Sequence, residues 1–171
     1  MTMKTIELEL SPEGIDRALR ELTDYTATLA AKTEQFVDRL RQIGLKVIED
    51  NGNPPGDSQP GTADAIITST GSTTKCTLFL EGKDVLFIEF GAGIHFNGAA
   101  GSSPHPMGAE FGYTIGSYGF GQGAKDSWTY KDGTERVVSY GTLAGMPMFK
   151  ASQEMRRQLV AIARDVFERG G

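Results

Sequence analysis

The sequence predicts an α+β fold, an antiparallel sheet of about four to five strands with helices packed on one face. Two observations carry this. Apolar residues recur at spacings of three, four and seven over residues 24–50 and again near the C-terminus, the mark of amphipathic helices. Between those two regions, β-rich runs follow one another without intervening helical periods, so strands are grouped rather than alternated with helices. A length of 171 residues with 39% apolar and 23% charged content suits one domain with one core, residues 1–171.

The elements follow in order. "TIELEL" (5–10) alternates apolar and polar residues and predicts a short strand. "SPEG" (11–14) predicts a helix start, with Ser11 at the N-cap and Pro12 at N1, where no amide donor is required. Ile15, Leu19 and Leu22 give this short helix an apolar side. A longer helix is expected from about Asp24 to Asp50, with Tyr25, Leu29, Phe36, Leu40, Ile43 and Val47 on one stripe. "NGNPPGDSQPG" (51–61) ends it, because a double proline between glycines sustains no regular element.

"ADAIITST", "TKCTLFLEG" and "DVLFIEFG" predict three strands. The short "EGKD" turn predicts that the last two form an antiparallel hairpin. "VLFIEF" is apolar at nearly every position and is expected as a central strand covered on both faces. Residues 91–123 hold ten glycines in 33 positions, so a loop excursion over about 92–124 is expected. Its ordering entropy would be offset only on docking, and the flanking elements are expected to fold without residues 98–122. "SWTYKDGTERVVSY" (127–140) predicts a hairpin turning at Asp132-Gly133. "MPMFKASQEMRRQLVAIARDVFERGG" (146–171) predicts a terminal amphipathic helix. Leu40, Ile43, Val47, Leu159 and Ile162 are the expected core contacts between the helices and the sheet.

Composition excludes several functions. The net charge of −5, from 17 basic and 22 acidic residues, lacks the basic face of a nucleic-acid clamp. Residues 146–171 nonetheless carry five Lys/Arg against three Asp/Glu, a balance of +2 on an otherwise acidic chain. Such a helix suits either a solvated face or a neighbouring copy. No stretch approaches the roughly 20 apolar residues of a membrane span. The N-terminus lacks a signal-peptide layout, which predicts a cytoplasmic product. A single cysteine, Cys76, excludes an internal disulfide. It alternates with apolar neighbours, as strand filler does.

Chemical motifs are sparse. His95 and His105 lie ten apart, and Glu89, Glu110 or Asp126 would have to complete a metal site whose spacing nothing in the chain demands. "GSYGFGQGAK" lacks the Gly-Lys-Ser/Thr and the following helix of a phosphate loop. No Gly-x-Ser-x-Gly nucleophile elbow occurs. Trp128, Tyr130 and Tyr140 fit a stacking platform or simple cross-strand packing equally well. No cofactor and no catalytic residue is expected.

"LFIEFGAG", "HPMGAEFGYTIGSYGFGQGAKDSWTYKDGT" and "GMPMFKASQEMRRQL" together resemble the head–tail joining, or tail-completion, proteins of long-tailed phages and prophages. These are often labelled minor capsid or tail-component proteins. In that family a strand ends in Glu-Phe/Tyr-Gly-Thr, a variable loop follows, and an Arg-Pro-Phe-type motif opens the last helix. Glu89, Phe90 and Gly91 match the first motif and Pro147 the second, and Lys150 falls where a basic residue is common. Ala92 replaces the threonine, Met146 the arginine, and Met148 or Phe149 takes the aromatic place. The likeness spans roughly residues 24–170 by element order.

The resemblance implies a structural protein of the virion neck, made in the bacterial host cytoplasm. It would act by homo-oligomeric, ring-forming assembly with other neck or tail proteins, not by catalysis. Glu89, Phe90, Gly91, Tyr113, Tyr118, Phe120, Pro147 and Phe149 are the expected assembly residues. Glu89 fits a buried anchor for loop amides, an intersubunit partner or a solvated strand edge. The rival readings are a small metal-dependent enzyme using Glu89, His95 and His105, and a non-viral protein-binding adaptor.

Overall fold

A computed structural model describes residues 9–70, 73–92, 103–113 and 127–169. It is a mixed helix-and-sheet chain. Helix α1 spans Pro12–Asn51, strands β1 and β2 span Thr62–Thr70 and Thr73–Glu81, and helix α2 spans Val85–Phe90. Strands β3 and β4 span Trp128–Asp132 and Glu135–Ser139, and helix α3 spans Pro147–Arg164, ending in a π-turn at Asp165–Arg169. The expected strand over 5–10 falls mostly on residues outside the described ones.

Helix α1 begins as the sequence predicts. Ser11 is extended, and its hydroxyl accepts the Gly14 amide at 3.1 Å. The expected break near Asp24 does not occur, and one 40-residue helix runs through it. Thr23 turns its hydroxyl back onto the Leu19 carbonyl at 2.8 Å, so a residue that often caps a helix sits inside one. Gly52 and the prolines then stop the helix, as expected.

The four-to-five-stranded sheet is not formed among the described residues. Two separate two-stranded antiparallel ribbons, β1–β2 and β3–β4, take its place. The first hairpin joins β1 to β2, with Thr70 opposite Thr73, and not β2 to the next run across "EGKD". That next run, "VLFIEF", is helix α2 and not a central strand. Its β-branched and aromatic composition favours a strand only where a pleated neighbour is available. Here six residues bury Ile88, Glu89 and Phe90 in succession, and Gly91 ends the turn at φ 80. The β3–β4 hairpin forms as predicted, but with Asp132 opposite Glu135 its two turn residues are Gly133 and Thr134, one position past the expected Asp132-Gly133 pair.

The helices pack antiparallel. Lys150 Nζ meets Asn51 Oδ1 at 2.7 Å at one end, and the rings of Phe36 and Phe167 lie 5.9 Å apart at the other. Arg39 pairs with Asp165 at that same end. Gly44 is where α1, α3 and β2 converge. A Cβ there would meet Leu78 Cδ2 at 2.9 Å and Met155 Sδ at 3.0 Å, so α1 needs glycine at this crossing. Ile48, Ile88, Ala151, Ile162 and Val166 are buried, while Leu40, Ile43 and Val47 are half-buried. Leu159, expected in the core, is 43% exposed; the buried side of α3 runs through Ala151, Ile162 and Val166 instead.

Two connecting segments lock this arrangement. Thr142 is fully enclosed and exchanges both backbone hydrogen bonds with Ala92, at 2.9 and 3.0 Å. Its hydroxyl accepts the Ser58 amide at 3.1 Å. The Asp57 carboxylate accepts the Ser139 hydroxyl at 3.0 Å and the Tyr140 amide. The polar 51–61 segment thereby satisfies its backbone groups against 139–143 rather than against water.

Candidate functional site

The residues that carry the family likeness meet in space. Helix α2 delivers Glu89 to the first turn of α3. One carboxylate oxygen accepts the Met148 amide at 2.9 Å and the other accepts the Phe149 amide at 2.9 Å. The first turn of a helix has amides with no intrahelical acceptor, and α3 has no side-chain cap of its own, since its N-cap position is Met146. Glu89 does that work from 59 residues away. A carboxylate also suits the positive end of the helix dipole.

The path into α3 is fixed just before this contact. Met146 adopts the left-handed conformation at φ 53, at a cost of about 1 kcal/mol for a residue with a side chain. The Ile88 carbonyl accepts the Gly145 amide at 2.8 Å and the Met146 amide at 3.4 Å. Gly145 has no room for a side chain, because a Cβ would stand 2.3 Å from the Asn51 carbonyl. Pro147 then supplies a preset φ and no orphan amide. The tight Gly145-Met146-Pro147 turn presents the next two amides to Glu89.

His105 closes the constellation. Its Nε2 lies 3.3 Å from Glu89 Oε1, and its Nδ1 accepts the Met107 amide at 3.1 Å. That second bond leaves Nδ1 as an acceptor, so the ring proton of the neutral imidazole sits on Nε2, the nitrogen nearer the carboxylate. Both side chains are almost wholly buried. The His105 ring packs edge-on to Phe90 at 4.5 Å and to Phe149 at 5.1 Å.

Phe90 organises the apolar side. Tyr113 stacks on it at 4.4 Å and 16°, and Phe111 tilts against it at 5.6 Å. Ser103 ties the segment down: its hydroxyl donates to the Phe90 carbonyl, and its amide donates to the Tyr113 carbonyl at 3.1 Å. Residues 103–113 are therefore not a loop waiting for a partner. They form a packed cover over Glu89 and Phe90, with His105 and Tyr113 buried. Deleting residues 98–122, expected to spare the core, would remove that cover.

The candidate residues separate accordingly. Glu89, Phe90, Gly91, Tyr113, Pro147 and Phe149 are brought together, and His105, read from sequence as a loop histidine, joins them. Tyr118, Phe120, His95 and Asp126 lie outside the described residues, as do the side chains of Trp128 and Tyr130. Glu110 and Tyr140 are exposed. Cys76 is half-buried on β2, and burial raises its thiol pKa above the ordinary value.

Among the described residues no group of three or more His, Cys, Asp and Glu stands where it could hold a metal. No helix among them is long and apolar enough to cross a membrane. The Glu89 oxygens accept two helix amides and lie against the His105 imidazole, whose Nδ1 accepts the Met107 amide, so this constellation holds three chain segments together. No family model, no curated protein and no solved structure matches the chain.

Proposed function

We propose that the protein is a structural morphogenesis protein of a tailed phage or prophage, acting by oligomeric assembly at the head–tail junction rather than by catalysis. The observation that supports this reading most is the Glu89 contact with the Met148 and Phe149 amides. The two short motifs of the family likeness, Glu89-Phe90-Gly91 and the Pro147 helix start, form a single clamp. An acid in that position has an architectural task, which suits a protein that works by holding shape. The metal-dependent alternative would need Glu89 and His105 to release their helix and loop partners before either could take a ligand.

Electron microscopy of particles made with and without this chain tests the role. The reading expects filled heads and separate tails when the chain is missing, and joined particles when it is supplied. Joined, infectious particles in its absence would overturn it.

A further inference from the structure

The seam that α1 uses to pack on α3 does not end where α3 ends. Phe36, Leu40, Ile43 and Val47 lie on that seam, at spacings of four, three and four. The same heptad runs back through Thr33, Leu29, Thr26, Leu22, Leu19 and Ile15. Among the described residues, the contact of Phe36 with Phe167 lies at the far end of the cover that α3 and its π-turn give this seam. Beyond it, Ile15, Leu19, Leu22, Tyr25 and Leu29 stand between 40 and 56% exposed. Five large apolar residues on one side of one helix form a face that a soluble protein seldom leaves in water.

We infer that this face pairs with the same face of a second copy, as an antiparallel two-helix contact centred on Leu22. Three features of the molecule select that occupant.

The first is symmetry. The gaps in Ile15, Leu19, Leu22, Tyr25, Leu29 are four, three, three and four. With Leu22 level with its own copy, Ile15 falls level with Leu29 and Leu19 level with Tyr25, twice over. A two-fold contact requires such a self-complementary set.

The second is fit. Helix α3 runs antiparallel to α1, as the copy would. In the Leu22-centred register, Pro12 of the copy falls level with Lys32, roughly one turn beyond Phe36. The incoming helix thus begins close to where α3 leaves the seam.

The third is the polar content of the face. Thr26 and Thr33, which occupy seam positions, give their hydroxyl protons to the carbonyls of Thr23 and Leu29, each at 2.8 Å. They bring no unsatisfied donor into a dry contact. At about 100° per residue, Arg17 and Arg20 project toward the far side of the helix from Leu22. Both basic side chains are therefore kept off the seam.

This contact does not depend on the assembly role proposed above. A two-fold contact closes at two copies, so a ring would use another surface of the chain.

The full chain tests the pairing by molar mass and by cross-linking. Light scattering at tens of micromolar should give twice the 18.4 kDa monomer mass. Leu22→Asp should keep its helical circular dichroism and raise the dimer dissociation constant on the order of 100-fold or more, since the substitution enters the contact twice. Leu22→Cys, in a chain whose only cysteine is replaced by Cys76→Ala, should form a disulfide-linked dimer on mild oxidation, and Arg20→Cys in the same background should not. A wild-type chain that stays at 18.4 kDa would overturn the pairing. So would a dimer that survives Leu22→Asp, or cross-linking by Arg20→Cys that equals that by Leu22→Cys. If the Cys76→Ala background fails to fold, the mass of Leu22→Asp decides alone.

Discussion

Glu89 Oε1 accepts the main-chain amide of Phe149 at 2.9 Å, across 60 residues of sequence. This contact gives α3 a cap that its own first turn lacks, and it joins α2 and α3 by a charge-assisted bond out of water. Such bonds contribute more than neutral ones, and an acceptor lost from a buried site leaves its donors uncompensated.

Glu89→Ala should therefore destabilise the chain by about 3 kcal/mol, because two helix amides lose their acceptor together and the buried His105 loses its neighbouring carboxylate. Glu89→Gln should cost less, since one carbonyl oxygen remains, while its amide group opposes a helix donor. Urea unfolding followed by circular dichroism should rank wild type above Glu89→Gln and Glu89→Ala last. Equal midpoints for wild type and Glu89→Ala would contradict the clamp.

The Phe90–Tyr113 stack predicts energetic coupling. Tyr113→Ala should cost about 3 kcal/mol or more through lost burial. A double-mutant cycle with Phe90→Leu should return a coupling of about 1 kcal/mol for the ring pair. Deleting residues 98–122 removes Ser103, His105 and Tyr113 at once, and should lower the unfolding midpoint further than Tyr113→Ala alone.

On α3 the structure separates two residues that share an apolar stripe in the sequence. Leu159→Asp should change stability by less than about 1 kcal/mol, because the side chain is half in water. Ile162→Asp places a charge in a buried site and should cost several kcal/mol, enough to unfold a typical domain. Thermal melts of the two variants check this directly.

Glu154 is held by hydrogen bonds from Arg157 and then Gln158, which lower its carboxyl pKa from 4.5 to about 2. A depressed carboxylate contributes stability above the unfolded value, and that contribution is lost as pH falls from about 4.5 through 2. The pair sits on an open helix surface, so salt should screen it. An NMR titration should show the Glu154 midpoint well below that of an ordinary glutamate, and moving back toward it in high salt or in Arg157→Ala.

What could be read from the sequence was local. Ser11 and Pro12 at a helix start, Gly52 with the double proline at its end, and Gly133 at a hairpin turn are signals fixed by backbone chemistry over a few residues. The α1 stripe was also legible, because one periodicity persists over many turns. Residues 85–90 were misread because Val, Leu, Phe and Ile fit a buried helix turn as well as a buried strand, and only the tertiary surroundings decide between them. Of the site, Glu89, Phe90, Gly91 and Pro147 were legible through a family likeness. Their joint role was not, since no sequence spacing says that an acid at 89 reaches amides at 148 and 149. His105 gave no signal beyond its prolines: its burial depends on Ser103 and Tyr113 folding the segment back onto Phe90.

Amide hydrogen exchange at Met148 and Phe149 reads the capping of α3 by Glu89 at the very atoms it holds. First-turn helix amides exchange rapidly unless something outside the helix accepts them. Both amides should be strongly protected in the wild-type chain and lose that protection in Glu89→Ala under conditions where the rest of α3 stays protected. Rapid exchange of both amides in the wild type, or protection unchanged in Glu89→Ala, would contradict the cap.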